Sequence, residues 1–290
     1  MNQGVALTTR QRALLLALNN PAVVNEFTLY FQPLLACDRQ VLPGVEALIR
    51  WRHPKFGWVS PAEFIPLAEQ QGVIKPITTW VIQTAITTLS RWTAQGIELC
   101  ISVNVSAVDV EQGYLLELLL SELGRCQLRV DQIALEVTET MPFRSELSAI
   151  HAVQALRGAG FSVALDDFGS GHAGLRQLGT LPVSRLKIDR SWVQSAHSQA
   201  HWQRLLRGVV SMAHELGLDV VAEGVDNAQT CLVLEECGCD YLQGYYFASP
   251  LSEQGLLSWL QHQAILMTAG SRYQADRDSD FAALDVELPG

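Results

Sequence analysis

Residues 27–51 read FTLYFQPLLACDRQVLPGVEALIRW. Two β-rich runs, 27–35 and 45–51, flank a connection at 36–44 that carries Asp38, Pro43 and Gly44. A crossover returning a parallel strand needs roughly a dozen residues or more, usually a helix. This joint is shorter and built of turn residues, so it predicts an antiparallel pair. The rest of the chain has another rhythm. Further β-rich runs lie at 99–106, 132–139, 161–167, 185–189, 219–225 and 241–247. Several are near-continuous in Val, Ile and Leu, as strands buried on both faces are. Helical periodicity fills 61–71, 76–96, 108–124, 145–158, 200–217, 227–237 and 252–263. Such alternation makes βαβ units and a parallel sheet. The expected fold is α/β: a modified TIM (β/α)8 barrel with its first two strands antiparallel.

Composition narrows the function. Of 290 residues, 48% are apolar and 17% charged, enough to bury a sizeable core. The formal charge of −10 argues against broad binding to duplex nucleic acid or an anionic membrane. It leaves open a small anionic ligand held with metal. No apolar run reaches the roughly eighteen residues that span a bilayer. Arg10 and Arg12 precede a short apolar patch, Ala13–Leu18, without a small-residue cleavage signature, so no signal peptide is expected. The cysteines at 37, 100, 126, 231, 237 and 239 show no C-x-x-C spacing. A thiolate metal site at 231, 237 and 239 is the sharper reading. Free thiols in a reducing cytoplasm is the favoured one. One barrel domain is expected over 25–263. An N-terminal helix and extension precede it at 1–24, and an acidic, partly disordered tail follows at 264–290.

In a barrel, chemistry gathers at the C-terminal ends of the strands. Those ends carry Glu46, Asn104, Glu136, Asp166 with Asp167, Lys187 with Asp189, Glu223 with Asp226, and Gln243. A single strand-end acid is most often a helix cap or a surface residue. Several buried together need cations among them. Lys187 is one, and metal ions are the simplest others. An oxygen-only donor set favours Mg2+ or Mn2+ over zinc. Adjacent Asp166 and Asp167 suit a two-metal centre, in which one carboxylate bridges and its neighbour holds the second ion. Such centres hydrolyse phosphodiesters. The turn Phe168-Gly169-Ser170-Gly171 permits a tight loop over the site.

Ordered blocks across 25–263 carry a resemblance. They are Tyr30-Phe31-Gln32-Pro33, Glu46-Ala47-Leu48 with Arg50, His53-Pro54, Pro61-Ala62-Glu63-Phe64-Ile65-Pro66 and the Asn104 strand. Leu135-Glu136-Val137-Thr138-Glu139, Asp166-Asp167-Phe168-Gly169, Leu186-Lys187-Ile188-Asp189, Ala222-Glu223-Gly224-Val225 and Gln243-Gly244-Tyr245 follow. Together they resemble the EAL family of cyclic-di-GMP phosphodiesterases. The resemblance implies hydrolysis of cyclic-di-GMP to linear pGpG with Mg2+ or Mn2+, and a bacterial role in biofilm, motility or virulence control. It implies that Glu46, Asn104, Glu136 and Asp166 hold one metal. Asp166 and Asp167 hold the other, with Glu223 near it. Lys187 positions the attacking water, and Glu223 is the candidate general base. Gln32, Leu48, Arg50, Asp226 and Gln243 match substrate-binding positions. Arg50 offers a phosphate paired, charge-assisted donors. Glu139 matches the residue that anchors the loop after Asp167, which lies at the family's dimer contact, so a homodimer is expected.

Three departures stand out. Asp226 replaces a usual Glu, the loop reads Gly171-His172-Ala173-Gly174, and Ala248-Ser249-Pro250 lacks a basic residue before the proline. None removes an expected metal ligand. The alternative is a catalytically silent receptor or protein-interaction module on the same fold. A sugar-cleaving barrel needs only a carboxylate pair and leaves Asn104, the Asp pair and Lys187 unexplained. No GGDEF, PAS, receiver or membrane segment is read ahead of the barrel, so regulation through expression, dimerisation or a partner protein is expected, in the cytoplasm.

Overall fold

The computed structural model describes residues 7–37, 42–138, 145–171 and 174–268. Glu139, His172 and the tail beyond 268 lie outside the described residues. Strand β1 (Phe27–Ala36) and strand β2 (Gly44–His53) pair antiparallel, with Gln32 opposite Glu46 and Phe31 opposite Ala47. The short joint at 36–44 therefore makes the reversal its length predicted. A short strand, β3 (Gly57–Val59), pairs with the far end of β2. The parallel strands are β4 (Cys100–Val105), β5 (Ile133–Thr138), β6 (Ser162–Phe168), β7 (Arg185–Ile188), β8 (Asp219–Ala222) and β9 (Tyr241–Leu242). β1 pairs with β9 as well as β2, so the sheet closes, and β3 hangs outside the ring. The result is an eight-stranded mixed barrel wrapped in helices, with β1 antiparallel to both neighbours.

The helices are α1 (Thr9–Leu18), α2 (Pro61–Gln70), α3 (Ile74–Ala94), α4 (Ala107–Gln112), α5 (Leu115–Cys126), α6 (Glu146–Gly158), α7 (Gly174–Thr180), α8 (Arg190–Ser198), α9 (Ala200–Glu215), α10 (Ala228–Cys237) and α11 (Glu253–Thr268). Two expectations need amending. The helix read over 108–124 is two, because Gly113 adopts φ 70° between α4 and α5, a left-handed conformation that ends a helix. A helix outside the expected helical runs, α8, fills most of the segment between Trp192 and Trp202. Its Asp189 cap accepts from the Ser191 amide at 3.0 Å.

The main core joins the strands to α3, α5, α6, α9 and α10. A second cluster lies beside it, where Leu14 and Leu18 of α1 pack with Phe27, Trp51 and Phe64. All six cysteines are free thiols, and Cys231, Cys237 and Cys239 are buried. Among the described residues no helix is long and apolar enough to cross a membrane.

Candidate active site

The strand register aligns the polar residues before any side-chain contact is considered. Asn104 lies opposite Glu136, and Thr138 opposite Asp166, on neighbouring parallel strands. Glu46, Glu136 and Lys187 therefore rise on separate strands toward one point. Glu223 follows the end of β8, and Gln243 the end of β9.

Lys187 is the hub. Its side chain is 2% exposed, and Nζ lies 2.6 Å from Glu136 Oε2, 2.7 Å from Glu223 Oε1, 3.0 Å from Asp166 Oδ1 and 3.4 Å from Glu46 Oε2. Around this hub the amides orient the acids. Asn104 donates to Glu46 Oε1 at 2.7 Å, and Gln243 to Glu46 Oε2 at 2.9 Å. The Asp167 backbone N–H donates to Asp166 Oδ1 at 3.0 Å. Asp167 itself sits at φ 56°, a conformation that costs a non-glycine residue of order 1–3 kcal/mol and gathers at functional sites. The ladder between β6 and β7 breaks its register between Leu165 and Phe168, where the pair is displayed.

Three buried carboxylates, Glu46, Glu136 and Asp166, and the partly exposed Glu223 face one ammonium, and the proton affinities reflect that excess. Burial pulls the Lys187 ammonium down, but the surrounding acids overcome this and hold it well above its ordinary value. Burial pushes Glu46 up, and it nevertheless stays below the usual carboxylate range because Lys187, Asn104 and Gln243 stabilise its charge. Glu136 carries the opposite outcome: burial and the adjacent Glu46 charge raise it to about 8. Burial and Asp166 raise Asp167 to about 6. Burial lifts Asp166 and Glu223, the latter well above the ordinary range.

This donor set fits divalent metal. It consists of carboxylates and one amide oxygen, the hard ligands that Mg2+ and Mn2+ take. Ligand oxygens of Asp166, Asp167 and Glu223 lie within 4.8 Å of one another. A single centre of positive charge does not match the acids surrounding it.

A cavity of about 500 Å³ opens beside the cluster and shares Asn104 and Asp167 with it. Leu48 and Arg50 line it, opposite Pro61, Ile65 and Pro66 of α2. The Arg50 guanidinium packs 5.7 Å over the Tyr30 ring and donates to the Ile49 carbonyl at 3.2 Å. Glu69, also in the wall, was not singled out in the sequence. Ser106 Oγ donates to its Oε1 at 2.7 Å, and burial lifts its carboxyl. Nothing in the local sequence separates Glu69 from other helical acids. Two expected substrate contacts are engaged elsewhere. Gln32 Nε2 donates to the Ala248 carbonyl at 3.2 Å. Asp226 accepts from Asn227 Nδ2 at 2.6 Å and Thr230 Oγ1 at 3.4 Å, at the start of α10.

Comparison with known proteins agrees with this geometry. The cyclic di-GMP phosphodiesterase PA2567 of Pseudomonas aeruginosa is 35% identical over 235 residues, which span 81% of this chain and 40% of that relative. The chain thus matches well under half the length of this relative. A solved MucR phosphodiesterase in complex with c-di-GMP is 32% identical at TM-score 0.77, covering 84% of this chain and 99% of that one. The EAL enzyme Bd1971, solved with cAMP and cyclic-di-GMP bound, is 30% identical at TM-score 0.78, covering 86% of this chain and 67% of that one. The model of the EAL domain matches residues 12–250, and the chain belongs to the EAL domain family.

Proposed function

We propose that this chain is a metal-dependent phosphodiesterase that hydrolyses cyclic-di-GMP to linear 5'-pGpG. The observation that carries the reading is the convergence of Glu46, Glu136, Asp166 and Glu223 on Lys187, each within 3.4 Å of its Nζ. Relatives that share the barrel are named for, or solved with, this dinucleotide.

In this reading Glu46, Asn104, Glu136 and Asp166 hold one Mg2+ or Mn2+. Asp166 and Asp167 hold a second, with Glu223 beside it. The ions, when bound, polarise the phosphate and lower the pKa of the attacking water. Lys187 aligns that water and balances the acids. Glu223 receives the proton. The P–O bond to the 3' oxygen breaks, and the product carries a 5'-phosphate and a free 3'-hydroxyl. Arg50 binds a phosphate by paired charge-assisted donors. Leu48 and the α2 wall give one guanine an apolar slot, and Gln243, Gln32 and Asp226 complete the contacts to substrate. Glu139 anchors the loop after Asp167. A homodimer, a regulatory protein partner and a cytoplasmic location belong to the same reading.

The test is chromatographic turnover of cyclic-di-GMP with Mg2+, Mn2+ or chelator, beside Glu46→Ala. Metal-dependent pGpG, absent in the variant, is the expected result. Tight binding without product under either metal would instead make the chain a silent receptor.

A further inference from the structure

Asp167 and the turn that follows it are held from outside the barrel by a residue that no expectation assigned. Trp192, in the first turns of α8, donates its indole N–H to the Gly169 carbonyl at 3.2 Å. The same ring meets Phe168 edge-on at 6.0 Å and is backed by Trp202 at 5.4 Å. The fit is close. Gly169 sits at φ 96°, and a Cβ built there would lie 2.4 Å from Trp192 Nε1. Only a glycine lets the turn lie against the indole, and only a ring with an N–H at that place meets the carbonyl.

The turn's internal bond runs from the Ser170 amide to the Asp167 carbonyl at 3.0 Å. Asp167 stands in the left-handed region, which persists only where the surroundings over-determine it. Its carboxylate meets those of Asp166 and Glu223, so the backbone angle at 167 decides where that oxygen points. α8 is anchored in turn by its Asp189 cap and by the Asp189 amide, which donates to the Phe168 carbonyl at 3.1 Å. The contact thus ties a rigid helix to the strained residue.

We propose that Trp192 is a positioning residue for Asp167: through Gly169 it holds the 167–171 turn in the conformation that presents the Asp166–Asp167 pair for divalent cations. The site role of that pair rests on the proposed phosphodiesterase reading. The action of Trp192 on the turn does not.

The experiment compares the full chain with Trp192→Phe, which keeps a ring and deletes the donor. The control is Trp202→Phe, which trims the backing indole and leaves the bond. Two readouts are taken, amide hydrogen exchange and Mn2+ affinity by calorimetry. One net hydrogen bond corresponds to a factor of roughly two to ten. Trp192→Phe is expected to quicken exchange of the Ser170 amide and to weaken Mn2+ binding, each by about that factor. Exchange in the strands and the thermal midpoint should hold, and Trp202→Phe should leave both readouts at the wild-type level. Unchanged exchange at Ser170 in Trp192→Phe overturns the proposal. So does faster exchange spread across the barrel, which would make Trp192 a packing residue only. If wild type fails to hydrolyse cyclic-di-GMP while Trp192→Phe still loosens the turn and Mn2+ binding, the enzyme reading fails and the positioning role stands.

Discussion

Lys187 shows how much depends on one residue. Its ammonium contacts all four acids of the cluster. Removing one partner of a buried ion pair typically costs about 3–5 kcal/mol, because the charge left behind has no compensation. Lys187→Met is therefore expected to lose turnover and to destabilise the chelated protein by about that amount in urea. Excess Mg2+ should recover part of the stability and none of the turnover. A variant as stable as wild type in chelator would contradict the picture of a cluster balanced by this ammonium. Proton linkage gives a second expectation. In the metal-free protein Glu136 titrates at about 8 and Asp167 at about 6, both above their unfolded values. Below the ordinary carboxylate range both states hold the protons and this stabilisation is complete. As pH rises from there the unfolded chain loses its protons while the fold keeps them, so stability falls until about 6 for Asp167 and about 8 for Glu136, where the folded protein releases them too. Melting in chelator should therefore drop from about pH 4 to about pH 8, and Glu136→Gln should flatten the drop. An equal drop in the variant would remove Glu136 as its source. The sequence showed these acids because each belongs to, or directly follows, a β-rich run of a barrel. It could not show that Lys187 touches four of them, nor that Glu69 lines the neighbouring cavity. Those facts depend on how far apart strands distant in sequence come to stand.

At the scale of elements, the connection before Gly44, short and carrying turn residues, pointed to the antiparallel start of the barrel. What escaped the sequence lay where strands are shortest. β9 has only two residues, and the chain beyond it turns rather than extends. The apolar run 241–247 has the composition of a strand but ends its pairing at Leu242. A Cβ at Gly244 would lie 2.1 Å from the Val225 carbonyl oxygen, so the backbones after β8 and β9 touch there. The Val225 amide donates to the Gln243 carbonyl at 3.0 Å across the same contact. This crossing fixes Gln243, which donates to Glu46, and borders Glu223. Overpacking a tight site costs about 1–3 kcal/mol. Gly244→Ala is expected to lose about that much in a urea melt and to weaken substrate binding at the same time, read as a raised KM. Full stability in this variant would mean that the two backbones part freely and that the crossing does not hold the site. α8 was missed for a different reason. Its nine residues follow a cap, Asp189, that the sequence also presents as a strand-end site residue.

At the scale of the molecule, the described residues form two hydrophobic clusters, and the smaller bears on where the domain begins. A division at residue 24 treats 1–24 as an extension to the barrel. Yet Leu14 is fully buried and Leu18 nearly so, in contact with a cluster containing Phe27, Trp51 and Phe64. Arg10 adds a two-point ion pair with Glu63 of α2, at 2.6 and 2.9 Å. That pair is exposed and contributes about 0–1 kcal/mol, so the apolar contact decides. Truncating a buried leucine to alanine costs about 2–5 kcal/mol, through lost transfer energy and the cavity left behind. We therefore expect Leu14→Ala to destabilise the whole barrel by about that amount in a single cooperative transition. Arg10→Ala should change little. A neutral Leu14→Ala would instead make α1 a detachable extension, as the division at 24 has it. The consequence reaches the site, because Phe64 lies on α2, and the other face of that helix, Pro61, Ile65 and Pro66, walls the cavity beside Asp167. An α2 loosened from α1 should hold substrate less well while the acids around Lys187 stay in place. Leu14→Ala, assayed below its melting range, should accordingly raise KM more than it lowers kcat. The reverse split would mean that the disturbance travels into the cluster itself.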